Sequence, residues 1–240
     1  MSKFSVVIPL IPAHDRELKR IFRGLALESG LISEVIIARS ETQNLSVGFV
    51  RIKYWIYAKL SHLNVPIVLS VVSAQAYDGT NRNRGWLISK SDVVAFMDAD
   101  DLYVENRLQI LSQVFTDPQV KSVVHSYSDE DLFSMKIQSR RDDFWRIRVK
   151  QEDRIQLDNE LVDLAGNPIK VHHALITVRN SVKEKVMFTD IFPGADKIFC
   201  LELANRGLLH YTPLELSNWN RKRSLRYLMR LLKSKLRRVL

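Results

Sequence analysis

The sequence predicts an α/β protein with a doubly wound sheet, and three observations lead there. Short β-branched apolar runs alternate with stretches whose apolar residues recur at helical spacing. The first elements read strand, helix, strand, which is how such a sheet begins. A later apolar run, Val93 to Met97, stops abruptly at Asp98, Asp100 and Asp101, and open α/β sheets carry their ligand sites at the carboxyl ends of strands.

The elements follow in order. Phe4 to Leu10 (FSVVIPL) is a buried first strand ended by Pro9 and Pro12. Asp15 is expected to cap a helix that carries Leu18, Ile21, Phe22 and Leu25 on one face. Ser33 to Ala38 is the second strand, Val47 to Leu63 a helix, and Val65 to Val72 the third strand. Ala76 to Gly85 reads as polar and turn-rich, with a short helix around Trp86 to Ser89 before the Val93 strand. Leu102 to Phe115 has the pattern of an amphipathic helix and Val120 to His125 that of a strand. Residues 126 to 170 break the alternation with interleaved charges, either as a solvated insertion or as a hairpin excursion through Trp145 to Lys150 on the sheet edge. His172 and His173 precede an apolar run, Ala174 to Val178; neighbours on a strand point to opposite faces and do not share a metal. Phe192 to Asp196 forms a turn into a helix, Lys197 to Asn205, closed by Gly207.

The acids after Met97 carry the first chemical argument. Asp98 and Asp100, two residues apart on a rigid strand end, can converge on one hard divalent cation such as Mg²⁺ or Mn²⁺, which keeps waters and binds substrate phosphates. The competing reading is a helix cap, open to Asp101 before Leu102 and equally to Asp196.

Composition bounds the rest. The single cysteine, Cys200, forms no intrachain disulfide and suits a reducing cytoplasm. The apolar run at the N-terminus is too short for a secretory signal, and no run reaches the ~18 residues of a spanning helix. The net charge of +9 is entirely local: residues 220–240 hold nine bases and no acid, which leaves 27 bases against 27 acids in residues 1–219.

Taken together, four features resemble an inverting glycosyltransferase of family 2. They are the first strand SVVIP, the turn Thr80-Asn81-Arg82-Asn83-Arg84-Gly85, the MDADD stretch, and Gly194-Ala195-Asp196 followed by a helix. The resemblance covers most of residues 4 to 216. It implies the nucleotide-sugar-binding GT-A fold in residues 1–219, a mixed, mostly parallel sheet flanked by helices. Carried over by position, it implies that Pro9 and the following turn border the nucleotide pocket, while Arg82 and Asn83 lie over the nucleotide or its diphosphate. By the same resemblance Asp98 would contact the ribose or base side, and Asp100, with Asp98 beside it, would hold the Mn²⁺ or Mg²⁺ at the diphosphate. Asp196 would, on this resemblance, take the place of the family's catalytic base. The donor is by default a UDP-sugar, and the acceptor a glycan or lipid-linked chain at the cytoplasmic face of the membrane.

Three positions depart from the family's pattern. The base-reading aspartates after the second strand are replaced by Ala38-Arg39-Ser40-Glu41, the middle acid of the Gly-Glu-Asp type motif by Ala195, and a late loop histidine by Trp219 to Ser224, where Arg221 or Arg223 can supply positive charge instead. These departures keep open a rival reading, a binding protein that retains the fold without turnover. Nucleotidyl transfer is disfavoured because IPLIPAHD after the first strand is not a Gly-rich phosphate loop.

Residues 220–240 read as a basic amphipathic helix. Leu225, Leu228, Met229, Leu232, Leu236 and Val239 share one face, with Arg226, Arg230, Lys233 and Arg237 beside it. An anionic membrane surface fits this pattern best, ahead of packing on the catalytic domain or self-association. Nucleic acid is not expected as a partner, because no aromatic stacking pattern accompanies the charge.

Overall fold

The computed structural model describes residues 3–41, 46–74, 76–128, 145–146, 148–149, 161–162, 175–191 and 194–218. Seven residues, all apolar but Ser5, form β1 (Phe4–Leu10), buried throughout. A 3-10 turn leads to α1 (Leu18–Leu27), followed by β2 (Ile32–Ser40), α2 (Val47–Leu60), β3 (Ile67–Val72), α3 (Asp78–Leu87) and β4 (Val93–Phe96). Beyond these lie β5 (Leu102–Tyr103), α4 (Arg107–Val114), β6 (Ser122–Ser128), the short pieces β7 (Trp145–Arg146), β8 (Arg148–Val149) and β9 (Leu161–Val162), then β10 (Ile176–Arg179), α5 (Ala195–Asn205) and β11 (Leu209–Asn218).

Among the described residues the main sheet runs β3-β2-β1-β4-β10-β6-β11-β5, with β7 on β11. The β1–β2, β1–β4, β2–β3 and β6–β11 pairs are parallel, while β10 enters antiparallel between β4 and β6. Chain order reverses at β1, whose neighbours are β2 on one side and β4 on the other. That is the switch point at which doubly wound sheets open a crevice.

Period two divides the core. Val6, Ile8, Val35, Ile37, Val93 and Ala95 pack on the α1, α2 and α4 side. Val7, Ile36, Val94 and Phe96 pack on the other side with Trp86 of α3 and Phe199 of α5. Successive strand residues point to opposite faces, so a fully apolar strand is what a sheet covered on both faces requires.

Four local expectations change. Asp15 caps nothing, because residues 12–17 form the 3-10 turn and the α-helix starts only at Leu18; the Asp15 carboxylate instead accepts from Tyr54 and Lys53, each at 2.7 Å, and from Arg39. Thr80 to Gly85 is not a turn but the middle of α3. Leu102 and Tyr103 pair with β11 rather than opening a helix, and α4 begins after Asn106 in the left-handed region (φ 66°). The strand β11, unforeseen, runs for ten residues at the heart of the second half of the sheet. Strand pieces at Trp145 to Val149 do occur, with β7 on the sheet and β8 paired to β9. The His172-His173 pair, the 165–168 turn and the basic tail from residue 219 lie outside the described residues.

Candidate active site

The carboxyl ends of β1, β2 and β4 meet at the switch point. Register places Pro9 opposite Ala38 and Val7 opposite Phe96, and Met97 N–H extends the β4 ladder by donating to the Val7 carbonyl at 3.0 Å. Pro9, Arg39 and Asp98 therefore share one edge of the sheet.

From the α3 side, Arg82 reaches this edge and pairs with the Asp98 carboxylate. Arg82 is 1% exposed and Asp98 6%, so neither charge has water to fall back on, and losing one partner of such a pair costs about 3–5 kcal/mol. The guanidinium also sits 5.7 Å from the centroid of the Phe188 ring. Phe188 stacks on Phe199 of α5 at 3.9 Å and meets Phe96 edge-on at 5.1 Å, while Trp86 meets Phe96 and Phe199 edge-on. One aromatic cluster thus ties α3, β4, the 186–191 segment and α5 together beneath the acids.

Asn83 points elsewhere. Its amide donates to the Phe188 carbonyl at 2.7 Å and accepts from Phe188 N–H at 2.9 Å. This pairing fixes the segment leading to Asp196, so the structure gives Asn83 a bracing contact in addition to whatever it does toward a ligand.

The turn after β4 is held from the opposite layer. Arg20 of α1 donates to the carbonyls of Asp100 and Asp101 at 3.0 and 3.1 Å. Burial lowers the Arg20 pKa, and the charges of Asp100 and Asp101 work against that shift. Arg107 of α4, wholly buried, donates to the Phe96 carbonyl at 2.9 Å; burial lowers its pKa, with Tyr103 and Asp101 opposing. Three arginines from three helices therefore fix the strand end that presents the acids.

Asp196 lies in the first turn of α5, half-buried, after Gly194 at φ 113°. No side-chain cap bond is made at this helix start. Ala195 beside it is buried against α3: a Cβ built on Gly79 would come 3.4 Å from the Ala195 Cβ and 2.5 Å from the Thr189 carbonyl. The middle acid of the motif is thus replaced by a buried alanine that packs toward α3. The Asp196 charge, second to burial, raises the Cys200 thiol well above its ordinary value.

At the end of β2, where base-reading aspartates were missing, there is a buried charge network. Arg39 pairs with Glu41 at 2.6 Å and with Asp15, and also donates to Tyr54. Burial works to lower its pKa, but the hydrogen bond to Glu41 and the Tyr54 and Asp15 contacts raise it overall. Arg84 donates to the carbonyls of Arg39 and Ser70 at 2.8 and 3.1 Å, clipping the ends of β2 and β3. Sequence reading missed Arg20, Arg39, Arg84 and Arg107 as site-building residues. Only Arg84, inside the RNRG stretch, carried a local signal.

Among the described residues no cluster of three or more His, Cys, Asp or Glu side chains is built to hold a metal. The donor set at the end of β4 suits a cation that takes one or two carboxylates and completes its shell with phosphate and water oxygens.

The sequence model of glycosyl transferase family 2 matches residues 75–176, a span that includes Arg82, Asn83, Asp98 and Asp100. No curated protein sequence matches the chain significantly. Among solved structures, S. aureus TarS superposes with a TM-score of 0.62 at 14% identity over 91% of this chain and 36% of TarS. TarS 1-349 in complex with UDP-GlcNAc gives 0.59 at 12% identity over 90% and 58% of the two chains. The mannosyltransferase PcManGT from Pyrobaculum calidifontis, in complex with GDP-Man and Mn²⁺, gives 0.58 at 15% identity over 88% and 56%. This chain thus spans between about a third and three fifths of those proteins. The fold is the GT-A fold, and residues 75–176 within it match the sequence model of glycosyl transferase family 2.

Proposed function

From a GT-A sheet whose residues 75–176 match the glycosyl transferase family 2 model, we propose that this chain transfers a sugar from a nucleoside-diphosphate donor to a glycan or lipid-linked acceptor, with inversion. The observation that carries the reading is the buried Arg82–Asp98 pair at the switch point, inside the matched segment. The nucleotide lies along the carboxyl ends of β1 and β2, bordered by Pro9, with Asp98 on its ribose or base side and Arg82 and Asn83 near the diphosphate. A UDP-sugar remains the default donor, and the Arg39–Glu41 pair occupies the place from which the base would be read.

Asp100, with Asp98, would hold Mn²⁺ or Mg²⁺, which supplies charge neutralisation to the departing diphosphate when bound. The chain's own residues do the rest. Arg82 keeps positive charge beside the carboxylate cluster, and Arg20 holds the turn so that the acids do not shift as charge develops. Asp196, on the far side of the sugar, takes the proton of the acceptor hydroxyl as that oxygen attacks C1. A single displacement inverts the anomeric centre. Residues 220–240 place the enzyme on the anionic cytoplasmic face of a membrane, where a lipid-linked acceptor would be found.

The second reading is a GT-A protein that binds nucleotide without turnover, and Ala195 in place of an acid favours it. Thermal-shift titration with nucleoside diphosphates, with and without Mn²⁺, tests the pocket. Donor hydrolysis across a panel of nucleotide sugars then separates enzyme from binder. Binding without hydrolysis for any donor supports the second reading, and no shift with any nucleotide refutes both.

A further inference from the structure

The outward face of α2 is apolar, and among the described residues nothing covers it. Val50, Tyr54 and Ala58 turn inward to the core. On the opposite arc of the helix lie Phe49, Ile52, Ile56 and Leu60, 62%, 59%, 42% and 57% exposed. At about 100° per residue these four fall within roughly 80° of one another, centred directly away from the buried face. Trp55, 57% exposed, borders the stripe, with Lys59 5.9 Å from its ring. Lys59, about 20° beyond Ile52, borders the stripe on the Trp55 side, exposed Arg51 lies further round on that same side, and α2 contains no acidic residue. Beside the stripe a cleft of about 490 Å³ opens between α2 and the edge strand β3, with Arg51, Trp55 and Lys59 in its wall and Leu63 and Leu69 among its apolar lining.

We propose that α2 is a lipid-docking surface, seated in the interfacial region of an anionic phospholipid bilayer. Apolar side chains enter the acyl boundary, Trp55 lies at headgroup depth, and Arg51 and Lys59 meet the phosphates. This is the chemistry of helices that lie in the membrane plane, an apolar face bordered by cations with an aromatic anchor. A second copy of the chain fits less well. Two such faces packed together bring Lys59 of both copies to the edge of one seam with no acid from either helix to answer it, and one short stripe falls short of the about 20–30 residues a side of a stable dimer. The inference rests neither on the donor chemistry nor on residues 220–240.

The test is flotation of the full-length chain with vesicles of phosphatidylcholine alone or mixed with phosphatidylglycerol. Wild type floats with the anionic vesicles, less so as salt rises. Ile52→Glu/Ile56→Glu, both exposed in the fold, lowers the partition coefficient at least about tenfold, and Arg51→Gln/Lys59→Gln several-fold. Lipids brominated near the headgroup quench tryptophan emission in wild type, and less in Trp55→Phe. The proposal is overturned if wild type ignores anionic vesicles, or if the glutamate pair floats like wild type. It is equally overturned if the glutamate pair only dissociates a dimer, seen by sedimentation, without changing flotation. Should the glutamate pair fail to fold, the glutamine pair decides, and flotation equal to wild type overturns the proposal.

Discussion

Replacing Arg82 by methionine keeps an apolar stem over Phe188 and deletes the cation facing Asp98. In the folded protein Asp98 is 6% exposed, so its carboxylate loses its ion-pair partner without gaining water. The expected cost is about 3–5 kcal/mol, which in a chain of this size lowers Tm by roughly 6–20 °C. Asp98→Asn strands the other member of the pair, since Arg82 is 1% exposed, and should cost a similar amount. Because both changes break one interaction, the double variant should fall short of their sum by about 0.5–3 kcal/mol. Urea unfolding followed by tryptophan fluorescence and by circular dichroism measures all four corners of this cycle. If each single variant costs less than about 1 kcal/mol, or if the two costs simply add, the pair behaves like a surface ion pair. The site would then lack the rigid brace assigned to it.

Further predictions concern packing, chemistry and pH. A Cβ on Gly85 would stand 2.5 Å from Val7 Cγ1, a stiff buried side chain of β1. Gly85→Ala should therefore destabilise by about 1–3 kcal/mol despite the better helix propensity of alanine, and a stabilised variant would refute the close contact. Asp196→Asn should cut sugar transfer by about 10²–10⁴-fold while nucleoside-diphosphate binding, read by thermal shift, stays unchanged; undiminished transfer removes Asp196 as the base. Burial, aided by Glu28 for Tyr103 and by Asp196 for Cys200, raises both groups well above their ordinary values of 10.0 and 9.0. The fold favours their protonated forms, so the unfolded chain ionises first and stability is lost as pH climbs above about 9, by up to ~1.4 kcal/mol per unit for each group. The urea midpoint should accordingly fall between about pH 8 and about pH 10.5, and a level midpoint contradicts the burial of these groups.

The first half of the sheet was legible because Val6–Ile8 of β1, Val35–Ala38 of β2 and all of β4 are apolar on both faces, a pattern that surface elements do not show. Strand β11 was not. Pro213 interrupts its alternation, and the pairing with β6 shifts register between Thr212 and Glu215. The stretch at Thr80 to Gly85 misled because polar residues and a glycine look like a turn. In α3 the same residues are a buried face: Asn81 and Arg82 turn toward the sheet edge, and Gly85 permits the close approach to β1. The positions of Pro9, Asp98 and Asp100 at or just after the carboxyl ends of strands were readable because the chain places them next to apolar runs. The contributions of Arg20, Arg107 and Phe188 were not, since each reaches the acids or Arg82 across the fold rather than along the chain.

The position of β10 bears on how the chain comes off the ribosome. Strands β1 to β4 are complete by residue 96, yet the edge of β4 is closed only by residues 176–179. At synthesis rates of about 5–20 residues per second, the nascent chain carries an open apolar strand edge for several seconds. During that interval the edge is a template for foreign strands. Aggregation of this protein in an overexpressing host should therefore respond more to translation speed across residues 97–180 than to the final stability of the fold.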